Sequence, residues 1–184
     1  MVSWTLTDAA SLLAVPQHKL IHLCEKKVVI PEVRDALGRG SSRKFSKRNL
    51  FDFAVALEMR RFELPVSFVK AVLLVLRSFE EEAKTMLGEF ALPESLITPN
   101  AFQVVLIILD GERLYFRLNS QGSKARVFGG VDIRHPRVRG RARHHRGVGR
   151  LATADADRIL GAARTRAEFN LSQIARDLAA RLPR

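Results

Sequence analysis

Four polar side chains cluster on a short predicted helix and have the chemistry to hydrogen-bond to the edges of nucleic-acid bases. The helix is predicted from about Pro16 to Lys26, because Leu20, Leu23 and Cys24 share one apolar face. The opposite face carries Gln17, His18, Lys19 and His22. Glutamine can pair with adenine, and lysine can pair with guanine or a phosphate. The pattern favours contact with DNA, and an ordinary solvated helix face is the alternative.

A second cluster is basic and surrounds a predicted β-hairpin and the start of the third helix. Its members are Arg39, Arg43, Lys44, Lys47 and Arg48. Such side chains would neutralise phosphates or place an arginine in the minor groove. The predicted helix N-terminus at Ser46 adds N–H groups that attract anions. Arg60 and Arg61, at the end of the same helix, are further candidates, with a solvated helix end as the alternative.

An arginine- and glycine-rich segment, residues 134–150, lacks apolar periodicity and predicts an exposed loop. Its Arg139-Gly140-Arg141 core loosely resembles an AT-hook, although the flanking prolines of that motif are absent. Arg139 and Arg141 are therefore candidate DNA contacts, and a solvated loop is the alternative. The histidines of this segment, His135, His144 and His145, stand among arginines, which disfavour a divalent cation.

Patterns for catalysis and cofactor binding are missing from the sequence. It has no P-loop, no dinucleotide fingerprint and no Ser/His/Asp arrangement of a hydrolase. The single cysteine, Cys24, allows no disulfide within this sequence and fits a reducing compartment. We predict that the chain is not an enzyme and uses no cofactor and no metal.

The net charge of +12 is concentrated in two places, with +5 in residues 1–80 and +6 in residues 131–150. Such patches favour a polyanionic partner, here double-stranded DNA, although a basic protein with solvated faces has the same composition. The N-terminus shows no secretory signal, and the most apolar run, 66–76, is too short to span a membrane. We predict a cytoplasmic, nucleoid-associated protein of bacterial type with no membrane partner.

The elements that would position these residues begin with two short helices joined by a turn. Thr7 is the predicted N-cap of the first helix, with Asp8 in its first turn. Pro16 suits the first position of the second helix, because its missing N–H has no partner there.

A hairpin wing, defined here as residues 28–45, is predicted to follow, with Val28-Val29-Ile30 and Arg43-Lys44-Phe45 as its strands. Ser46 is predicted to cap a third helix, and Ser67 a fourth that begins near Phe68 and extends to Met86 or beyond. The fourth helix is apolar nearly all round, which predicts burial by a second domain or by a homodimer seam.

The second half predicts a small antiparallel β-unit. Asp110-Gly111 lies between two β-rich runs, which is a strong hairpin signal. The predicted strands are Gln103–Leu109, Arg113–Leu118 and a third within residues 125–133, followed by a C-terminal helix from Thr153 to Leu182. The first strand is apolar without alternation, so both of its faces should be covered. We therefore predict an α+β fold with a DNA-binding domain (1–87), a linker (88–102) and a dimerisation or effector domain (103–184).

The ordered elements over residues 4–78 resemble the winged helix-turn-helix domain of the MerR family of transcription regulators. The stretches that carry the resemblance are Ala10–Val15, Leu20–Pro31, Ser42–Ser46 followed by Leu50, and Phe62–Phe68. Ser42–Ser46 is similar to the wing motif that the family writes roughly as Tyr-Arg-x-Tyr-Ser. The resemblance implies a homodimer whose second helix enters the major groove and whose wing holds the adjacent backbone.

The chain departs from that family at several positions. Ile21, His22 and Leu23 stand where the family has an arginine followed by aromatics, Ser42 and Phe45 replace wing tyrosines, and Lys27 replaces a glycine. Arg43 is retained. The second half lacks the simple coiled-coil tail with metal-binding cysteines of the family's metal sensors.

A sequence-specific transcription regulator is therefore the leading hypothesis. One alternative is an architectural, chromosome-organising protein whose contacts are mainly electrostatic and depend on residues 134–150. The other is a protein-interaction adaptor built on a helix-turn-helix fold that no longer binds DNA. No pattern in the sequence identifies an effector.

Overall fold

The computed structural model describes residues 2–34, 43–98, 101–120, 124–133 and 148–183. Within these ranges the chain has the predicted α+β fold, with six α-helices and a five-stranded antiparallel sheet. Two compact units are present: unit 1 contains Met1–Leu73 and Ile174–Arg184, and unit 2 contains Leu74–Gln173. Residues 88–102 lie in unit 2, and the end of the chain, from Ile174, lies in unit 1.

Unit 1 contains three complete helices and the beginning of a fourth. They are α1 (Leu6–Leu12), α2 (Gln17–Glu25), α3 (Lys47–Arg61) and the first turns of α4 (Val66–Leu87). Its core contains Leu20, Leu50 and Phe51, together with an edge-to-face pair of rings, Phe45 and Phe53, whose centroids are 5.2 Å apart. These residues bury the apolar sides of α2 and α3.

The N-termini of the helices agree only partly with the predicted caps. Thr5, not Thr7, caps α1: its hydroxyl accepts a hydrogen bond from the Asp8 N–H at 3.1 Å, and the Asp8 carboxylate accepts one from the Thr5 N–H at 2.8 Å. Ser46 caps α3 as predicted. The prediction for Ser67 was wrong, because α4 already begins at Val66.

Three successive helices end with a non-glycine residue in the left-handed region. These residues are Ala14 after α1 (φ 52°), Lys27 after α2 (φ 53°) and Glu63 after α3 (φ 57°). Each is followed by a residue whose N–H closes the helix end, as in the 2.8 Å hydrogen bond from Val28 N–H to Leu23 C=O. Lys27 is the residue that the resemblance to the MerR family aligns with a glycine, and glycine adopts its conformation without strain.

The wing is held at its base, but Val28-Val29-Ile30 is not a strand. Val28 and Val29 are buried in the turn that follows α2. Arg34 and Lys44 form the antiparallel bridge instead, with N–H···O=C distances of 3.3 and 2.8 Å, and Phe45 pairs with Trp4. Residues 35–42, which include Arg39, lie outside the described residues.

Helix α4 buries most of its apolar surface within the chain. Its buried side chains are Val69, Val72, Leu73, Val75, Leu76, Phe79 and Ala83. Among the described residues of this helix, Leu74 is the large apolar side chain that is exposed, at 47%. The homodimer seam that the sequence suggested here is therefore reduced to one exposed leucine.

The predicted linker is instead packed into unit 2. Phe90, Leu92 and Leu96 are each at most 2% exposed, and Glu94–Leu96 forms a short 3-10 turn. The ring of Phe90 packs edge-to-face on Phe79 of α4, with centroids 5.8 Å apart. Two prolines and a glycine suggested a linker, but the buried side chains of Phe90, Leu92 and Leu96 pack this segment into the core.

The sheet of unit 2 confirms the predicted hairpin. Its strands are β1 (Gln103–Leu109), β2 (Arg113–Asn119), β3 (Arg126–Asp132), β4 (Gly149–Arg150) and β5 (Arg166–Asn170), in the order β4-β3-β2-β1-β5. Asp110 and Gly111 both have positive φ (53° and 70°) at the two central positions of a turn that the Glu112 N–H closes on the Leu109 carbonyl at 3.1 Å. β4 lies within the segment predicted as a loop, because Val148 is buried and leads the chain alongside β3.

One glycine of β3 is required by close packing. At Gly129 the register between β2 and β3 shifts, and φ is +143°. A Cβ at this position would lie 2.5 Å from the Leu114 carbonyl oxygen and 2.7 Å from the Tyr115 Cα. The neighbouring Gly130 has φ +92°, but a Cβ added there would have nothing within 4 Å.

The single C-terminal helix predicted for Thr153–Leu182 was wrong. The chain forms α5 (Thr153–Ala162), then β5, then α6 (Leu171–Arg181). The Asp110 carboxylate accepts hydrogen bonds from the N–H groups of Arg164 and Thr165 at 3.0 and 3.1 Å, which directs the following residues along β1. Pairing with β1 outweighs the helical periodicity of this segment.

Both faces of β1 are covered, as predicted. On one face Ile107 and Leu109 pack in a cluster with Ala156 of α5. On the other face Phe79 of α4 stacks on Phe116 of β2 at 4.4 Å between centroids. Among the described residues, none of the helices combines the length and apolar character needed to cross a membrane.

Candidate nucleic-acid interface

The exposed side of α2 carries the four polar residues that the sequence singled out. Gln17, His18, Lys19 and His22 are all exposed. Leu20, Leu23 and Cys24 are buried, at 0%, 2% and 8% exposure. The helix therefore presents one continuous polar face outside unit 1, as a base-reading helix must.

The turn before α2 sets the angle between the first two helices. Ala14 adopts φ 52°, and the N–H groups of Ala14 and Val15 bind the Ser11 and Ala10 carbonyls at 3.1 and 3.0 Å. Pro16 stands one position before the helix, with φ −60°, and makes no side-chain cap. The first N–H groups of α2 therefore receive no side-chain acceptor from the residue before the helix.

Two of the predicted basic residues lie at the base of the wing. Lys44 is half-buried and pairs through its backbone with Arg34. Arg43 is also half-buried and takes part in interactions within the chain. Arg34 is exposed and was missed, although an arginine placed before a glycine-rich hairpin tip is a signal that could have identified it.

The N-terminus of α3 is already occupied by a carboxylate of the chain itself. The Ser46 hydroxyl donates a 2.5 Å hydrogen bond to the Glu32 carboxylate. The buried Asn49 side chain accepts from the Glu32 N–H at 2.8 Å and donates to the Ile30 carbonyl at 2.9 Å. A carboxylate at a helix N-terminus stabilises the helix, because its negative charge interacts favourably with the helix dipole. The sequence had predicted a phosphate site at this end, and the Glu32 carboxylate takes that place.

Arg48 differs from the prediction that it contacts phosphate. Its Nε donates to the Asp52 carboxylate at 3.0 Å, one helical turn later, and the two side chains are only 11% and 3% exposed. Burial and charge pairing place this guanidinium in the interior of unit 1. The spacing of four residues was visible in the sequence and would have indicated the pair.

The remaining basic candidates lie at the two ends of α3. Lys47, in its first turn, is half-buried and interacts within the chain. Arg60 and Arg61 are exposed near its end, where Arg60 donates to the Leu64 carbonyl at 2.5 Å and Arg61 pairs with Glu58 at 2.8 Å. These contacts hold both guanidinium groups beside the last turn of the helix.

The electrostatics near α1 favour an ionised carboxylate. The Thr5 hydroxyl hydrogen bond, the Thr5 N–H and the nearby Lys44 charge together hold the pKa of Asp8 below its ordinary value. Asp8 therefore stays negative close to the base of the wing and partly offsets the positive charge of Lys44. The exposed face of α2 has no such carboxylate among its four polar side chains.

Arg139 and Arg141 lie outside the described residues, as do His135, His144 and His145. Among the residues that the structure describes, no group of three or more His, Cys, Asp or Glu side chains is placed to hold a metal ion. The predicted contact residues that the structure describes are therefore those on the α2 face, around α3 and at the wing base.

Comparison with known proteins gives no family model that matches the chain and no matching curated protein. The resemblance to the MerR family therefore depends on the motifs and elements described above.

Proposed function

We propose that the chain is a sequence-specific, double-stranded-DNA-binding transcription regulator that acts as a homodimer, with α2 as its base-reading helix. The observation that carries the proposal is the division of α2 into a buried apolar face and an exposed face of Gln17, His18, Lys19 and His22. The short turn from α1 and the adjoining wing base support the same assignment, because they are the companions of a recognition helix in winged folds.

In this proposal the first turns of α2 enter the major groove, which is about 12 Å wide and admits an α-helix. The N-terminal residues of a recognition helix are those that reach base edges. Gln17 would pair with an adenine, and Lys19 would pair with a guanine or a phosphate. His18 and His22, on the same exposed face, would add contacts along the groove.

The wing base and α3 would supply the phosphate contacts. Lys44 and the exposed Arg34 face each other across the bridge at the wing base, and Arg43 precedes Lys44. Such contacts position the protein without reading sequence. Arg48 is left out of the proposed set because it is buried against Asp52.

Homodimerisation is part of the proposal, and the outer edge of β5 offers a self-complementary surface for it. β5 is the last strand of the sheet, and Arg166 and Glu168 lie exposed on it two residues apart, where they pair with each other and Glu168 also pairs with Arg117 at 3.2 Å. Antiparallel pairing of two copies about Ala167 would place each Arg166 opposite the Glu168 of the other copy. Opposite charges directly across a strand pair are favourable. The Asp110 N–H binds the Thr165 carbonyl, and in the alternating pattern of an antiparallel ladder the Glu168 N–H then faces the open edge of β5. Sedimentation equilibrium of the full chain should give a dimer that Glu168→Pro disrupts, because proline removes that N–H.

The function is tested by fluorescence anisotropy with a sequence selected from genomic fragments and with a random-sequence pool, between about 50 and 200 mM salt. We expect the selected sequence to bind on the order of a thousandfold more tightly than the pool. Lys19→Gln should weaken binding to the selected sequence by about tenfold, within the range for one lost base contact. Lys26→Gln, which removes an exposed lysine just after α2, is the matched control and should change little.

Equal binding to every sequence with a steep salt dependence would contradict the proposal and favour the architectural alternative. No binding near physiological salt would favour the protein-interaction adaptor.

A further inference from the structure

A groove in unit 1 lies beside the exposed face of α2 and has the size of a ligand site. It is formed by the turn between α1 and α2, by α2 itself, by the second half of α3 and by α6. Its volume is about 620 Å³. Sites for small molecules commonly measure roughly 300–1,000 Å³. Every residue that lines it belongs to unit 1.

The floor of the groove is apolar. Leu13, Leu23 and Leu178 lie in it and are at most 9% exposed. Val15, Leu57 and Ile174 complete it and are half-buried, so parts of their side chains face the open space. A hydrocarbon or aromatic group placed here would remove apolar surface from water.

The rim of the groove is predominantly cationic. Four permanent cations, Lys19, Arg60, Arg61 and Arg181, stand against two carboxylates, Glu58 and Asp177. Glu58 pairs with Arg61 at 2.8 Å. Arg60 and Arg181 donate to uncharged acceptors, the Leu64 and Leu12 carbonyls at 2.5 and 3.3 Å, which orient the guanidinium groups without neutralising them. An anion at this rim would therefore meet preorganised donors.

We propose that this groove binds an amphipathic anion, a medium-chain or aromatic carboxylate. The apolar part would lie on Leu23, Leu57 and Leu178, and the carboxylate would accept hydrogen bonds from the guanidinium groups at the rim. Charge complementarity and the apolar floor both favour this ligand class over a neutral or cationic one. A cation would be repelled by the rim, and a small inorganic anion would leave the floor in contact with water.

The site has a regulatory consequence that depends on the proposed function. His18, Lys19 and His22 line the groove and also form the face that would contact DNA. A ligand in the groove would compete with DNA for these side chains. The carboxylate would then act as an effector that releases the protein from DNA.

Ligand binding is tested on the full chain without DNA, so that the result is independent of DNA binding. The probe is anilinonaphthalene sulfonate, an aromatic anion that fluoresces in apolar sites. We expect saturable binding that octanoate displaces and that octanol, its uncharged analogue, displaces at least tenfold less effectively. Arg181→Gln should weaken probe binding about tenfold, as expected for losing a charged hydrogen bond. Lys26→Gln is the matched control, because Lys26 does not line the groove.

The location is tested separately by NMR of the histidine side chains. Addition of octanoate should shift the signals of His18 and His22, assigned by single substitution, and leave those of the other three histidines unchanged. Ala54→Phe, which fills the groove, should abolish both responses while the urea midpoint shows that the protein is folded. Equal displacement by octanol and octanoate, or unchanged His18 and His22 signals, would overturn the proposal. Failure of the DNA-binding experiment would contradict the proposed function. It would not contradict the ligand site, because the probe and NMR experiments are done without DNA.

Discussion

Three glycines of unit 2 differ in conformation and surroundings, and alanine at each should separate steric overlap from backbone strain. At Gly129 an added Cβ would overlap a carbonyl oxygen at 2.5 Å and a Cα at 2.7 Å, and φ is +143°. At Gly130 the space is open but φ is +92°. At Gly149 the space is open and φ is not in the positive region.

The expected losses of stability follow from these differences. Backbone strain at a positive-φ residue costs about 1–3 kcal/mol, and forced overlap in a packed core costs a further 1–3 kcal/mol or so. We therefore expect Gly129→Ala to lower the free energy of unfolding by about 4 kcal/mol and Gly130→Ala by about 1.5 kcal/mol. Gly149→Ala should change it by less than about 0.5 kcal/mol.

Urea denaturation followed by circular dichroism measures all three changes. Near-equal effects of the three substitutions would refute the reasoning, because overlap, strain and open space would then have no separate energetic consequence. If Gly129→Ala is too unstable to purify, the difference between Gly130→Ala and Gly149→Ala still tests the strain argument.

Three further substitutions test separate parts of the account. Lys27→Gly should stabilise the protein by about 1 kcal/mol, because Lys27 occupies the left-handed region after α2. Lys26→Gly is the control and should not stabilise the protein, because Lys26 is in a right-handed conformation; urea midpoints compare the two variants. Asp52→Asn should destabilise by about 3 kcal/mol because it leaves Arg48 buried without its carboxylate, and Arg48→Met with Asp52→Leu should recover much of that loss in the same assay. The hydrogen bonds from Thr165 and Arg113 lower the pKa of Asp110, so the stability that its carboxylate contributes is present at neutral pH and is lost as the pH falls through that lowered pKa. Asp110→Asn should therefore reduce the urea midpoint at pH 7, and the midpoints of variant and wild type should converge in acid. A constant difference at all pH values would contradict this.

Local signals in the sequence predicted the elements that depend on short-range chemistry. Asp110-Gly111 specifies its hairpin because both residues tolerate positive φ. Ser46 caps α3 because its hydroxyl accepts a hydrogen bond from the Asn49 N–H, only three residues later. The separation of α2 into polar and apolar faces follows from helical periodicity alone, so the exposed candidates Gln17, His18, Lys19 and His22 were available without a structure.

The elements that the sequence missed depend on contacts between distant residues. β5 contains one buried apolar residue, Phe169, and becomes a strand because Asp110 and β1 offer it hydrogen bonds from more than fifty positions away. Glu32 contacts Ser46 at the start of α3 from fourteen positions earlier in the sequence, so no local pattern indicates this contact. The groove beside α2 needs α6, whose amphipathic pattern predicted packing but did not identify the surface on which it packs.

The central claim, that α2 reads DNA bases, is tested most directly by a base-substitution scan of the selected sequence with the wild type and with Gln17→Ala. The account predicts that the wild type loses about 1–3 kcal/mol at particular base pairs in each of two symmetric half-sites. Gln17→Ala should then bind with little discrimination at one A·T pair of each half-site, while the other positions keep their preferences. Uniform weakening by Gln17→Ala at every position, with no half-site pattern, would contradict the assignment of α2 as the base-reading helix.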